Sequence, residues 1–371
     1  MTHPVARPLR IGYDAKRAFH NQSGLGNYSR TLLQNVSEEH PDWSFHLFGT
    51  ELNSSAPWLR QNFHLHSPQR GRMLWRRWRI VQDLVQAKLD IYHGLSHELP
   101  WGIEKLKLRS VVSMHDVIFQ RYPGHYPLVD RLIYDKKWQH SCKVADVLVA
   151  ISEATRQDLI EFYGVAEDRI KVIYQSISPR YQVRAPQPAP PHLGLPKDYL
   201  LFVGSLTPRK NLLGLLKALL MLPKGQRPPL VVVGKGRVYG RQMMAYLHRQ
   251  GLGKEVYFRS EIGNEELPAV YAQALGLVYP SFFEGFGLPI VEALSQGTPV
   301  ITSHSSAMPE AAGPGALLVD PHKPADIAQA VSQLQDDKAL RFRLVQDGQR
   351  YIRRFSPEII AQQWSDLYAS L

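Results

Sequence analysis

The sequence has 371 residues, more than a single hydrophobic core usually supports, and this length predicts two domains. Its hydrophobic content of 44% and charged content of 21% are typical of a soluble globular protein. The single cysteine excludes an intramolecular disulfide framework and a cysteine-rich zinc site, which suits a reducing cytoplasm. We expect neither a signal peptide nor a membrane-spanning helix, because no suitable apolar stretch occurs. The net charge of +11 indicates an anionic partner, such as nucleic acid, an acidic membrane surface or a phosphorylated small molecule.

The chain opens with a pattern that can face a phosphate. Residues 9–14 predict a strand, Gly24 and Gly26 a glycine loop, and residues 27–36 a helix. The third glycine of a dinucleotide fingerprint is missing, so a flexible turn explains the loop equally well. A second strand is predicted over residues 43–48.

A basic and aromatic segment, residues 70–79, follows this strand and continues as an apolar pattern. Leu74, Trp78, Val81 and Val85 recur at helical spacing, which predicts an amphipathic helix with a cationic flank. We favour an ordinary packed helix with solvated arginines, since apolar helical stripes usually face a core. Peripheral contact with anionic lipid on the inner face of the cell membrane is the alternative.

The rest of the first half predicts a sheet with a histidine at one strand end. His115 directly follows a strand, where ligands bind in parallel sheets, although a hydrogen-bonded core histidine is the alternative. His93 and His97 could suggest a metal site, which we disfavour because a zinc site needs a third protein ligand. Ser152 is predicted to cap a helix. The strands are predicted at residues 90–93, 109–114, 147–152 and 171–174.

A proline-rich stretch, residues 183–197, predicts a linker between the two domains. Beyond it, residues 199–203 predict a strand and residues 212–222 a helix. Arg209 and Lys210 stand where this helix starts, which is unfavourable for cations unless an anion lies between them and the helix end. Solvated loop charges are the alternative. Further strands are predicted at residues 230–233 and 256–258, the first of which ends in a close-approach turn of Gly234, Lys235 and Gly236.

The most informative stretch lies between residues 275 and 303 and predicts a strand, a glycine-rich turn, a helix and a second strand. The helix is expected to start at Pro289. Free N–H groups near Leu288, together with the helix dipole, favour a phosphate at that point. Glu284 and Glu292 flank it, so the ligand should also carry hydroxyl groups. A phosphate joined to sugars meets both demands.

These two glutamates stand eight positions apart within EGFGLPIVE, which is followed by ALSQGTPVIT. The pattern resembles the E-x7-E signature of the retaining glycosyltransferases of family 4, which have the GT-B architecture. The resemblance implies two Rossmann-like α/β domains facing each other across a cleft, with a C-terminal helix crossing back to the first domain. The implied boundaries are 1–182 for the acceptor-side domain, 183–197 for the linker, 198–353 for the donor-side domain and 354–371 for the final helix.

The resemblance also implies roles for single residues. Arg209, Lys210 and the amides near Leu288 would stabilise the departing diphosphate. Glu292 would hold the ribose hydroxyls, and Glu284 those of the transferred sugar. Many members carry arginine where this chain has Ser205, so Arg209 would take over that charge. The implied catalytic set is His115, Arg209, Lys210 and Glu284. The implied donor-binding set is Gly24, Gly26, Gly204, Ser205, Gly234, Lys235, Ile262, Ser281, Gly285, Phe286, Gly287, Leu288 and Glu292.

We expect no metal and no cofactor, because the chain has no DxD triplet and its own cations would replace a metal bridge. The segments HDVIFQRYPGHYP and PSFFEGFGLP resemble bacterial mannosyltransferases that build surface polysaccharides. This resemblance favours GDP-mannose as the donor and a glycan or lipid-linked saccharide as the acceptor. A UDP-sugar donor or a sugar-nucleotide epimerase is the alternative. Nucleic-acid binding is disfavoured because the basic residues are scattered, and an oxidoreductase because neither glycine turn is complete.

Overall fold

The computed structural model describes residues 7–21, 24–68, 75–182 and 189–371. The chain divides into two compact units: unit 1 comprises Met1–Ser176 with Pro357–Leu371, and unit 2 comprises Ile177–Ser356. The central strands of both units are buried along their whole length. A parallel sheet buried on both faces must be covered by helices on both, which is the Rossmann-like arrangement.

Within the described part of unit 1, seven strands form one sheet in the order β3-β2-β1-β4-β5-β6-β7, and all the paired strands are parallel. The order reverses between β1 and β4, which pair directly. The strands are β1 (Arg10–Asp14), β2 (Ser44–Phe48), β3 (Phe63–His66), β4 (Ile91–Gly94), β5 (Arg109–Met114), β6 (Val147–Ala150) and β7 (Ile170–Val172). The helices are α1 (Lys16–His20), α2 (Gly24–Glu39), α3 (Ile80–Gln86), α4 (Ile118–Arg121), α5 (Leu128–Val144), α6 (Glu153–Tyr163) and the chain's last helix, Pro357–Ala369.

The last helix belongs to unit 1 because its aromatic face packs against the sheet. The Tyr368 hydroxyl lies 2.7 Å from Nδ1 of His93 in β4, and the Trp364 ring stacks at a tilt 4.8 Å from the same imidazole. The Ser365 hydroxyl donates to Glu39 Oε2 at the end of α2. The C-terminal segment therefore contributes core side chains to unit 1.

The described part of unit 2 holds six strands in the order β10-β9-β8-β11-β12-β13, again with parallel pairs, and the order reverses between β8 and β11. The strands are β8 (Leu200–Val203), β9 (Leu230–Val233), β10 (Val256–Phe258), β11 (Gly276–Tyr279), β12 (Val300–Ser303) and β13 (Ala316–Val319). The helices are α7 (Leu212–Met221), α8 (Arg237–Gln250), α9 (Leu267–Gln273), α10 (Leu288–Ser295), α11 (Met308–Ala312), α12 (Pro324–Asp336) and α13 (Lys338–Tyr351). The predicted fold class, two Rossmann-like α/β domains with parallel sheets, is confirmed.

The amphipathic helix predicted from Leu74, Trp78, Val81 and Val85 has a different buried face from the one expected. Residues 69–74, including Leu74, lie outside the described part, and a π-helical turn spans Trp75–Arg79 before α3. Trp78 and Val85 of the predicted stripe are 49% and 57% exposed, whereas Ile80 and Leu84 are buried. In a π turn the hydrogen bonds join residues i and i+5 in place of i and i+4, so the turn shifts the buried face relative to an α-helical register.

Three further differences concern segment boundaries. Gly24 and Gly26 lie in the first turn of α2 and not in a loop before it. Strand β3 was not predicted, because it is only four residues long and none of them is fully buried at the sheet edge. The predicted linker lies partly outside the described part, at 183–188, while residues 177–182 cluster with unit 2, where Ile177 N–H donates to the Phe355 carbonyl.

Candidate active site

Two glycine turns meet at the carboxyl ends of β8 and β9. A Cβ on Gly234 would lie 1.9 Å from the carbonyl oxygen of Gly204, so only glycine permits this approach. Gly204 has a φ of +143°, and Leu206 N–H donates to the Lys235 carbonyl at 2.9 Å. The two loops therefore run in backbone contact where ligands bind in open parallel sheets.

Asn211 ties the loop after β8 to the segment after β11. Its φ of +58° places it in the left-handed region, which asparagine tolerates. The side-chain oxygen accepts from Gly214 N–H and caps α7, while Nδ2 donates to the carbonyls of Pro280 and Pro321 at 3.1 and 2.7 Å. Sequence analysis assigned Asn211 no role, although asparagine directly before a helix is a recognisable cap signal.

Three charged side chains meet at this junction. Oε1 of Glu284 lies 2.6 Å from Nζ of Lys210 and 2.7 Å from a guanidinium nitrogen of Arg209. Lys210 also donates to the Tyr279 hydroxyl, and its ammonium lies 4.6 Å from the centre of that ring. Lys210 and Glu284 are each only 8% exposed. The sequence placed these charges in one site, and the structure brings them into direct contact.

The two cations keep Glu284 ionised. Burial alone would raise the pKa of this carboxyl, but Lys210 and Arg209 outweigh it and hold the pKa at about 2. The cluster thus carries one negative and two positive charges at neutral pH. Its net charge of +1 in a partly desolvated place favours an anionic ligand.

Helix α10 begins next to this cluster with an open amino end. Gly287 precedes it at a φ of +118°, no side chain caps it, and its first turn has no acidic residue. Leu288 and Pro289 occupy that first turn. Within the described residues, neither a side-chain cap nor a first-turn carboxylate compensates the positive end of the helix dipole. Phe286 is buried against Phe355, with ring centres 5.2 Å apart, so its side chain belongs to the packing behind this turn.

Glu292 is set apart from Glu284 by its partners. Its Oε2 accepts from the Tyr271 hydroxyl at 2.9 Å. Burial raises the pKa of Glu292 to about 7, against the opposing effects of the Tyr271 hydrogen bond, Arg180 and Tyr181. The two glutamates of one motif therefore differ in protonation at neutral pH: one is fixed as a carboxylate and the other is poised to titrate.

The remaining predicted donor residues of unit 2 differ in burial and in the strand that they follow. Ser205 and Lys235 are exposed on the loops after β8 and β9, and Gly285 directly follows Glu284. Ser281 is fully buried after β11, and its carbonyl accepts from the Ser303 hydroxyl. Ile262 is partly buried beyond β10, at the edge of the sheet.

In unit 1, His115 follows β5 and is enclosed by hydrogen bonds. Its Nε2 donates to the Leu95 carbonyl at 2.8 Å, Nδ1 faces the Gln175 amide at 3.5 Å, and its backbone N–H donates to Nε2 of His97. Burial lowers the pKa of His115 to about 4, so the ring is neutral at physiological pH. Any role toward a sugar is therefore that of an oriented neutral imidazole.

Gly24 and Gly26 begin α2 in the same unit. A Cβ on Gly26 would lie 1.7 Å from the Asn21 carbonyl, so glycine is required there by the chain's own packing. Within the described residues, no group of three or more histidine, cysteine, aspartate or glutamate side chains is arranged to hold a metal ion. The two nitrogens of His93 are engaged by Tyr368 and Ser113.

Comparison with known proteins agrees with this geometry. Residues 186–351 match the family model of glycosyl transferases group 1, and residues 35–181 match that of glycosyltransferase family 4. The O-antigen chain mannosyltransferase B of Escherichia coli is 30% identical over 394 aligned positions, which cover 100% of this chain and 98% of that protein.

Solved structures show the same fold at lower identity. Sucrose-phosphate synthase from Thermosynechococcus elongatus superposes with a TM-score of 0.78 at 21% identity, covering 98% of each chain. Anabaena HepE in complex with UDP and glucose gives a TM-score of 0.76 at 18% identity, covering 98% of this chain and 100% of that one. Both share the two-domain GT-B architecture predicted for this chain, which belongs to the family 4 glycosyltransferases.

Proposed function

We propose that this glycosyltransferase moves mannose from GDP-mannose to a glycan or lipid-linked saccharide, with retention of anomeric configuration and without a metal ion. The observation that carries the proposal is the contact of Arg209 and Lys210 with Glu284 beside the uncapped start of α10. Two cations and an open helix end offer a place for a diphosphate. The ionised carboxylate between them offers an acceptor for sugar hydroxyls.

The proposed chemistry uses charges that are already in position. Negative charge develops on the diphosphate as the glycosidic bond breaks, and Lys210 and Arg209 would stabilise it. Because Glu284 holds both cations within ion-pair distance, little reorganisation is needed when the diphosphate arrives. These two side chains would then neutralise the diphosphate charge that a divalent metal ion neutralises in metal-dependent transferases.

Glu292 and His115 have supporting roles in this proposal. Glu292 accepts hydrogen bonds from ribose hydroxyls in its ionised form, which is why its pKa of about 7 matters. His115 is neutral and held by Leu95 and Gln175, so its proposed role is that of an uncharged positioning group and not of an acid. Retention would follow from attack on the face from which the diphosphate leaves.

The preference for mannose has support from a full-length relative whose name specifies mannosyl transfer to O-antigen chains. Surface-polysaccharide synthesis is accordingly the proposed context. The UDP-sugar alternative has its support in the HepE complex, a protein similar in fold at 18% identity.

A donor screen by mass spectrometry tests the proposal. The full chain is incubated with GDP-mannose, UDP-glucose and other nucleotide sugars, with and without EDTA and a mannose-terminated acceptor. We expect transfer and slow hydrolysis of GDP-mannose that EDTA leaves unchanged, loss of both with Glu284→Ala, and an α-linked product by NMR. Turnover of a UDP-sugar alone would overturn the proposed donor. Loss of activity in EDTA would overturn metal independence, and a β-linked product would overturn retention.

Peripheral membrane contact stays part of the proposal. The described residues contain no helix both long and apolar enough to span a bilayer. Trp78 is exposed between the exposed Arg77 and Arg79, a pairing of aromatic and cationic groups that suits an anionic lipid surface. Liposomes containing anionic lipid should sediment the wild type at low salt and release a Trp78→Ala variant. Equal sedimentation of both would remove this surface from the proposal.

A further inference from the structure

Unit 1 has its own pocket at the point where its strand order reverses. The pocket has a volume of about 360 Å³, enough for one or two sugar rings. Its wall includes Asp14, the last residue of β1, and Glu98, which follows β4. Strands β1 and β4 are the neighbours between which the order reverses, and such crevices are where open α/β sheets bind ligands.

A chain of alternating charges builds one side of the pocket. The Arg76 guanidinium pairs with Asp14, with Nε 3.0 Å from Oδ2, and reaches Glu98 at 3.3 Å. Lys137 Nζ lies 3.1 Å from the other oxygen of Glu98. The two carboxylates and two cations balance each other. Asp14 is nearly buried under Arg76, so Glu98, whose side chain is 28% exposed, is the carboxylate of this wall that can accept from a ligand's hydroxyl groups.

Two more cations line the same pocket without such a balance. Lys16 and Arg77 are both exposed, and in the described part of the chain no carboxylate lies within 4.0 Å of either side-chain charge. Repulsion by Arg76, followed by partial burial, lowers the pKa of Lys16. The pocket therefore has a surplus of positive charge that an anionic group of a ligand would relieve.

An aromatic surface completes the pocket. The Trp101 indole stacks on the His140 ring, with centres 3.8 Å apart and planes at 14°, and the Arg77 guanidinium lies 5.9 Å from the indole centre. Trp101 is only partly buried, so part of its ring faces solvent. Flat indole faces pack against the C–H surfaces of sugar rings, while neighbouring carboxylates accept the hydroxyl groups.

We propose that this pocket is an acceptor subsite for an anionic saccharide, with the sugar ring on Trp101, its hydroxyls on Glu98, and its phosphate or carboxylate on Lys16 and Arg77. That the bound saccharide acts as the acceptor rests on the proposed transferase activity. That the pocket binds an anionic sugar does not depend on this activity, and the binding can be measured without any donor.

Isothermal titration calorimetry on the full chain tests the inference, with mannose 6-phosphate, mannose and inorganic phosphate as probes. Each titration is repeated with saturating GDP, so that phosphate binding in unit 2 is removed from the measurement. We expect mannose 6-phosphate to bind about tenfold more tightly than mannose, as two partly exposed charge contacts allow. Raising the salt from about 50 to about 300 mM should narrow that difference, because exposed charges are screened.

Variants separate the two halves of the subsite. Lys16→Ala combined with Arg77→Ala should reduce mannose 6-phosphate affinity to the level of mannose and leave mannose itself unchanged. Trp101→Ala should weaken both sugars. The matched control, Lys105→Ala with Lys143→Ala, removes two exposed cations of the same unit outside this pocket and should change neither.

Equal affinity of the wild type for mannose and mannose 6-phosphate, or an unchanged affinity in the Lys16 and Arg77 double variant, would overturn the inference. Inorganic phosphate binding as tightly as the sugar phosphate would overturn its saccharide half. Because Lys16 and Arg77 are exposed, their variants should fold, and circular dichroism checks this. If GDP itself fails to bind, the proposed function falls, while the sugar-phosphate titration still decides the present inference.

Discussion

The two units place charged side chains at the same topological position but with opposite arrangement. In unit 2 the cations Arg209 and Lys210 follow β8, and the carboxylate Glu284 follows β11. In unit 1 the carboxylate Asp14 ends β1, and its cation Arg76 comes from a helical turn elsewhere in the chain. Each group lies where the strand order of its sheet reverses.

The comparison shows that topology places both charge clusters at the reversal of strand order, whereas the side chains set how their charges are arranged. In unit 2 a single carboxylate is shared by the buried Lys210 and the partly buried Arg209, so most of the surplus positive charge is held inside the site. In unit 1 the inner charges cancel and the surplus is exposed on Lys16 and Arg77. The first arrangement suits a diphosphate, because cations shielded from water stabilise most strongly the negative charge that develops as it departs. The second suits a saccharide carrying one exposed anionic group.

The largest effect should come from removing the central cation of unit 2. Lys210→Ala should lower kcat for the preferred donor by roughly 10² to 10³, the usual cost of losing one preorganised group that stabilises developing charge. Steady-state kinetics by mass spectrometry measure it. Lys217→Ala, an exposed lysine in α7, is the matched control. A Lys210→Ala variant within threefold of the control would show that the charge cluster is not the diphosphate site.

The pH dependence of stability should separate Glu284 from Glu292. The folded pKa of Glu284, about 2, is below its ordinary value of 4.5, so its contribution is present above pH 4.5 and is lost as pH falls toward 2. That contribution amounts to about 3 kcal/mol. The pKa of Glu292 is raised from 4.5 to about 7, so its contribution is present below pH 4.5 and is lost as pH rises through 7.

Thermal melting between pH 3 and pH 8 measures both slopes. Glu284→Gln should flatten the acid side of the stability profile, and Glu292→Gln should flatten the decline between pH 4.5 and pH 7. The donor KM should also rise as pH falls below about 7 in the wild type and lose that dependence in Glu292→Gln. Parallel profiles for the two variants would contradict the distinct environments of these glutamates.

A smaller effect is expected in unit 1. Arg76→Ala leaves Asp14, which is 5% exposed, without its cation. Since the Arg76 side chain is itself 22% exposed, we expect a loss of about 2 kcal/mol in the free energy of unfolding, less than for a fully buried pair. Denaturant unfolding measures it against Arg79→Ala, an exposed arginine of the same helical turn. Equal midpoints for the two variants would remove the charge chain as a structural feature of the pocket.

The smallest effect should come from Gly287. Alanine there must adopt a φ of +118°, and its Cβ would lie 3.0 Å from the flexible end of Ile290. We expect a cost of about 1 kcal/mol and a donor KM raised a few-fold, because the start of α10 shifts. Gly253→Ala, whose Cβ would meet no atom within 4 Å, is the control. Unchanged kinetics in Gly287→Ala would argue against a backbone role for this turn.

Much of the donor-side geometry could be predicted from local pattern. The strands at residues 230–233 and 256–258 were predicted with the observed bounds, and the helix beginning at Leu288 within one residue. Glycine and proline at fixed offsets specify such turns by sterics alone, so one chain segment carries the information. His115 was placed correctly at the end of β5, but its hydrogen bonds to Leu95 and Gln175 join distant segments.

The sequence by itself determined the two-unit parallel architecture and the segments that bear charge, because apolar periodicity and glycine spacing are local properties of the chain. The family followed from the resemblance of one continuous segment, EGFGLPIVE. Tertiary structure alone decided which charges meet and how they ionise. Glu284 and Glu292 are the same residue type in one motif. Lys210 and Arg209 form ion pairs with Glu284, whereas Glu292 is buried and accepts a hydrogen bond from the Tyr271 hydroxyl. Burial and distance arise only when segments far apart in the chain pack together, and these two quantities set a pKa.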